Sequence, residues 1–185
     1  MSKLTITEAL QEIKTITSRL DKKRTSVLQY LVRDARVRDP FESTGGSAKF
    51  VKEERQAIGD LEKRIVSIRT AIQRSNLTSP LTVADTTQTV SEWLTWRREV
   101  SKNQQGFINL ISSSIHKVRT QLQAKGAKLT AIASAEVNLS QDAPPDAVLS
   151  VDEQGLIAEI DSMENILGQL DGKLSLFNAT TEIDV

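Results

Sequence analysis

The sequence predicts a mainly α protein: an antiparallel helical hairpin or bundle of about four amphipathic helices, with one small β-hairpin and an extended C-terminal connection. Three observations lead there. Apolar residues recur at three- and four-residue steps in four separate stretches, which sets them along one side of a helix. Three of those stretches open with Ser or Thr followed by Glu three residues later, the spacing at which two side chains satisfy backbone N–H groups at a helix start. Only 4% of the 185 residues are aromatic, so the core rests on Leu, Ile, Val and Ala, the usual filling between helices. A chain of this length suits one compact domain or a domain with an appendage.

The first helix is expected from Thr5 and Glu8 to about Arg36, with Ile6, Ala9, Ile13, Ile16, Leu20, Val27 and Leu31 as its stripe. Asp39-Pro40 disfavours further helix, because the proline ring restricts the residue before it, and "DPFESTGGSAK" is read as the loop. A second helix is expected from about Ser47 to Asn76. Its residues Val51, Ile58, Leu61, Ile65, Ile68 and Ile72 alternate in steps of four and three, the seam of a coiled coil. Glu54 falls on that seam, which predicts looser pairing at that end. "SPLTVADTTQTV" reads as two very short strands, a hairpin at about 79–90 turning at Ala84 to Thr87. Thr89 and Glu92 open a third helix, carried on by Phe107, Ile111, Ile115, Val118 and Leu122 to about Lys125, with a kink or break expected near Lys102 to Gly106. Residues 127–149 form an extended linker around "SQDAPPDAV". Ser150 and Glu153 open a fourth helix striped by Leu156, Ile160, Met163, Leu167, Leu170, Leu174 and Phe177, followed by an extended "NATTEIDV". The organisation expected is therefore a helical domain over 1–126, the linker over 127–149, and an acidic C-terminal helix and tail over 150–185.

The net charge of zero conceals a polarity along the chain. Residues 1–76 carry +6, residues 77–135 carry +4 and residues 136–185 carry −10. Such asymmetry suggests an acidic arm that meets a basic surface, its own or a neighbour's, or simply solvated helix faces. Because "SQDAPPDAV" can extend, the arm is expected on an adjacent subunit.

Chemistry is constrained by what is scarce. The chain has no cysteine and one histidine, His116, so disulfides, thiolate metal sites and histidine-based catalytic sites are excluded. Metal-ligand spacings and phosphate-loop motifs do not occur, and the expectation is a protein that is not an enzyme, with no cofactor, no metal and no small-molecule substrate. "TGGSAK" precedes a helix, where a phosphate could sit, but the spacing before Lys49 is wrong and a plain turn is the simpler reading. The basic cluster Arg19, Lys22, Lys23, Arg24, Arg33, Arg36 and Arg38 could neutralise nucleic-acid phosphates, with Tyr30 the one aromatic among them. No signal-peptide pattern and no run of about 18 apolar residues occurs, so a soluble protein made in a cytoplasm, without a membrane partner, is expected. The candidate partner-binding residues are Trp93, Trp96, Arg97 and Arg98 on the third helix and Leu167, Leu170, Leu174 and Phe177 on the fourth. Trp and Arg are the types most enriched at interface hot spots; the two rings either close the bundle over the hairpin or face a partner.

The order "LTITEALQEIKTITSRLDKKR", "IGDLEKRIVSIRTAIQRSN", a short β element and "TVSEWLTWRREV" resembles an uncharacterised helical family of bacteria and tailed bacteriophages, labelled septicolysin-like, over roughly Leu4 to Arg119. The resemblance carries no catalytic residues. It implies a phage setting, and hence a structural component of a tailed-phage virion, assembled in the host cytoplasm. Its partners would be further copies of itself and other phage structural proteins, bound through helix faces and the acidic C-terminal arm. A cytoplasmic helical adaptor and a nucleic-acid-binding protein using the first helix are the alternatives.

Overall fold

The computed structural model describes residues 3–34, 36–127, 129–131 and 147–185. In chain order the elements are β1 (Lys3–Thr5), α1 (Ile6–Gln29), α2 (Gly46–Thr78), β2 (Pro80–Val83), β3 (Thr86–Thr89), α3 (Val90–Thr95), α4 (Ser101–Ala124), β4 (Leu129–Ala131), β5 (Ala147–Leu149), α5 (Glu153–Thr180) and β6 (Glu182–Asp184). The protein is mainly α with small two-stranded sheets. It forms two compact units, one of Met1–Pro80 with Lys173–Val185 and one of Leu81–Gly172.

In the first unit, Thr5 and Glu8 form the capping box: the Glu8 N–H donates to Thr5 Oγ1 at 3.2 Å and the Thr5 N–H donates to Glu8 Oε2 at 2.8 Å. Satisfying orphan donors at both ends of that short span fixes the helix start. The α1 stripe Ile6, Ala9, Ile13, Ile16 and Leu20 is buried together with Ile68 of α2 and Ile183 of β6. Ile58, Leu61, Ile65 and Ile72 pack half-buried against this cluster. Antiparallel pairing of α1 and α2 shows in the ion pairs, whose partner numbers run in opposite directions: Lys23 with Glu54 at 2.8 Å and Glu12 with Arg64 at 2.8 Å. Glu54 does lie on the seam, and the ammonium of Lys23 donates to both of its carboxylate oxygens.

Helix α1 ends at Gln29, short of the expected Arg36, and Leu31 is exposed. The cause is an aromatic cluster. The ring of Tyr30 meets Phe41 and Phe50 edge-on at 4.9 and 5.5 Å, while Phe41 and Phe50 stack at 4.2 Å. Turning the chain at Tyr30 gathers three rings, worth about 0.5–1.5 kcal/mol per pair beyond area burial, which continued helix would keep apart.

The acidic C-terminal arm, expected on an adjacent subunit, instead closes the first unit of its own chain. Strand β6 pairs antiparallel with β1, with Lys3 opposite Asp184, Leu4 opposite Ile183 and Thr5 opposite Glu182. The Ile6 N–H donates to the Thr181 carbonyl at 3.1 Å. Ile183 is buried in the α1 cluster, and Phe177 and Val185 pack against it. Backbone pairing and apolar burial hold the arm; the ion pair of Lys3 with Glu182 at 3.7 Å is highly exposed and contributes little.

In the second unit, β2 and β3 form the expected hairpin. Ala84 and Asp85 both take positive φ, 44° and 63°, the signature of a two-residue turn whose twist matches that of the strands. A second capping box, Thr89 with Glu92, starts α3. The irregularity in this helix lies earlier than expected: Trp96–Val100 is π-helical, the Ser101 N–H reaching back to the Trp96 carbonyl, and α4 runs without a break through Gly106. One extra residue in that turn brings Val90, Trp93, Ser101, Ile108 and Ile115 onto one buried side. The linker region contains β4 and β5, paired in parallel with Leu129 opposite Ala147 and Ala131 opposite Leu149; "SQDAPPD" lies outside the described residues. Helix α5 begins at Glu153. Its cap is Asp152, whose Oδ1 accepts the Gln154 N–H at 3.0 Å, two residues beyond the expected Ser150.

Candidate functional site

The sequence concentrates its tryptophans at the start of α3, and the structure shows how each is used. Trp93 is 4% exposed. Its Nε1 donates to the Leu81 carbonyl at 2.8 Å, so a helix residue is tied to a hairpin strand. This contact gives the short β element the apolar cover and polar anchor that an isolated hairpin lacks. Trp96, half-buried, meets Trp93 edge-on at 5.7 Å. Arg97 lies against Asp171 of α5 at 2.7 Å, and Arg98 pairs with its neighbour Glu99 at 2.7 Å. Among the fourth-helix candidates, Leu170 is fully buried, Leu174 is buried, Leu167 is half-buried, and Phe177 belongs to the core of the first unit. Trp93, Leu170 and Leu174 thus lie inside the fold, because their apolar area is already removed from water by their own chain. The exposed parts of the candidate set are Arg97 and Arg98.

The basic cluster is largely neutralised from within. Arg24 pairs with Glu62 at 2.8 Å, Arg33 with Asp39 at 3.6 Å, Arg36 with Asp34 at 3.2 Å and Arg38 with Glu42 at 2.8 Å, alongside the Lys23–Glu54 pair. Tyr30 is engaged with two phenylalanines rather than standing free to stack a base. The anion position at the start of α2 is filled by Asp39: its carboxylate accepts the Ser47 N–H at 2.9 Å, the Ser47 hydroxyl at 2.7 Å and the Phe41 N–H at 2.9 Å. Those bonds, with the Ser47 N–H foremost and Arg33 a lesser contributor, hold the Asp39 pKa down to about 2. Gly45 and Gly46, at φ 107° and 85°, shape the turn that makes this possible. The same carboxylate logic lowers Glu8 and Glu92 at their caps, through Thr5 and Thr89. His116 is an exposed residue of α4. Among the described residues no group of three or more His, Asp or Glu is placed to hold a metal ion, and no helix is long and apolar enough to cross a membrane.

Of the expected stripe Phe107, Ile111, Ile115, Val118 and Leu122, Ile115 is buried and Ile111 and Leu122 are half-buried, with Ser101 and Ile108 buried on the same side, whereas Phe107 is 65% exposed and Val118 is open to solvent, as are Val100 and Leu110. The repeat of seven from Ser101 to Ile108 to Ile115 was the available signal, masked by a serine as its first member. Beside Phe107 runs a groove of about 470 Å³ between α4 and α5, lined by Gln104, Phe107, Ile108, Glu159, Ser162 and Met163. Phe107 thus stands on an exposed helix face beside that groove.

The fold defines a mainly α protein with small two-stranded sheets. No family model and no curated protein matches the chain. Among solved structures it is similar to a functionally unknown conserved protein from Corynebacterium diphtheriae, at 17% identity and a TM-score of 0.51, over 99% of this chain and 100% of that one. At that identity the likeness concerns the fold.

Proposed function

We propose that this protein is a structural component of a tailed-phage particle that binds neighbouring subunits through its helix faces and performs no catalysis. The observation that carries the reading is the outer face of α4, where Phe107 and Leu110 stay about two-thirds exposed on an unbroken helix of 24 residues. Surface helices of self-sufficient domains turn charge toward water; this one turns apolar side chains outward, as interface cores do. The internal pairing of arginines with carboxylates supports association over nucleic-acid binding, since each pair would have to open before a phosphate could bind. The sequence resemblance to the septicolysin-like helical family supplies the phage setting.

Mass spectrometry of purified particles from a host carrying the gene tests this. Stoichiometric recovery with intact particles, resistant to salt washing, is expected. Recovery only in the particle-free lysate would replace the proposal with that of a helical adaptor.

A further inference from the structure

We propose that the first half of α4 is a one-residue register switch: the π-helical turn moves from Trp96–Val100 to the stretch Ile111–Ile115 and so exchanges the side of the helix that faces inward. The switch belongs to the single chain and is independent of the association proposed above.

An α-helix turns about 100° per residue, so moving the extra residue past a position hands that place to the residue before it. Four places between the two stretches face inward: Ser101 and Ile108 are buried, Gln105 and Ile111 half-buried. The residues directly before them are Val100, Gln104, Phe107 and Leu110, all exposed, Phe107 and Leu110 by 65% and 67%. The two sets match in kind. Val takes the place of Ser, Gln of Gln, Phe of Ile and Leu of Ile, so the shift takes apolar area out of water without turning a charge inward. Phe107 and Gln104 already line the groove of about 470 Å³ with Ile108 and Met163, and the ring turns into open space. Tighter packing where Val100 replaces the 1%-exposed Ser101 opposes that gain and keeps the two registers comparable.

The match ends after Ile111. Ile115 is buried and Leu122 half-buried, but Ser114 and Gln121 precede them; the shift would bury polar groups there, so the extra residue stops before Ile115. Serine chemistry marks both homes of the turn. At the first, the Ser101 N–H bypasses the Arg97 carbonyl to reach Trp96, and the Ser101 hydroxyl donates to the bypassed Arg97 carbonyl at 2.8 Å. At the second, the hydroxyls of Ser112, Ser113 and Ser114 donate to the carbonyls of Ile108, Asn109 and Leu110 at 3.0, 2.8 and 2.8 Å. Those are the acceptors that a π-helical turn at this point bypasses.

Ile108 and Ile115 are similarly buried, at 4% and 6% exposure, but Phe107 stands ready to replace the first and only Ser114 the second. Urea unfolding of the full chain compares polar substitutions at the two. Ile115→Gln is expected to raise the unfolding equilibrium constant about a hundredfold or more, the usual result of burying a polar group without a partner. Ile108→Gln is expected to raise it about tenfold or less, because the glutamine rotates to solvent as Phe107 turns inward. Phe107→Gln alone is expected to be nearly neutral, yet to cost as much as Ile115→Gln when added to Ile108→Gln. Equal losses at Ile108 and Ile115, additive effects in the double variant, or an Ile108→Gln chain that does not fold overturn the switch. Fluorine NMR of the chain labelled with fluorotryptophan reads the turn itself, since Trp93 and Trp96 are its two tryptophans. The Trp96 resonance is expected to move in Ile108→Gln and to stay in place in Phe107→Gln. A folded Ile108→Gln with that resonance unmoved overturns the change of register.

Discussion

Ile68→Ala should be the most damaging single truncation on α2. Ile68 is fully buried in the cluster of Ile6, Ala9, Ile13, Ile16, Leu20 and Ile183. The substitution removes three carbons, about 2.4 kcal/mol at roughly 0.8 kcal/mol per buried methylene. A poorly relaxing cavity adds about 1–2 kcal/mol, for a total of about 3.5–4.5 kcal/mol, within the usual spread for Ile→Ala. Its neighbours supply the internal scale. Ile65 packs half-buried against the same cluster, so Ile65→Ala should cost about half as much. Val66 is 64% exposed, and Val66→Ala should stay within about 0.5 kcal/mol. Urea unfolding followed by far-UV circular dichroism measures the series. Both tryptophans belong to the second unit, so indole fluorescence gives a parallel record that the first unit's core should influence less. A cost below about 1 kcal/mol for Ile68→Ala, or equal costs at positions 65, 66 and 68, would refute the assignment of that core.

Asp39 makes stability pH-dependent in a definite direction. Its pKa is about 2 in the fold against about 3.9 for a free aspartate, so its stabilising contribution is complete above about pH 5 and disappears as pH falls through 2. Asp39→Asn should lower the unfolding midpoint at neutral pH, with the gap from wild type narrowing on acidification; a gap that does not change with pH would contradict the cap. Trp93→Phe keeps most of the ring burial but strands the Leu81 carbonyl, at a cost of about 1–3 kcal/mol. Faster amide hydrogen exchange in β2 and β3 should accompany the loss, and unchanged exchange there would mean that the indole N–H does not anchor the hairpin.

What the sequence by itself determined is local. The capping boxes at Thr5 and Thr89 need only residues three apart, the α1 stripe only the helical period, and the hairpin only a turn that Ala84 and Asp85 complete. Each is settled by interactions spanning fewer than about five residues, which is the range over which spacing alone carries physical information. The tertiary structure decided the rest. Where α1 stops depends on Tyr30 finding Phe41 and Phe50, and α2 begins where Asp39 reaches Ser47. Which of two adjacent stripes on α4 turns inward depends on the π-helical turn Trp96–Val100 and on what lies opposite, so Ile108 and not Phe107 holds the inward place. The fate of the acidic C-terminus turned on β6 finding β1 from the far end of the chain, because apolar burial and backbone pairing outweigh screened surface charge and leave no period of their own in the sequence.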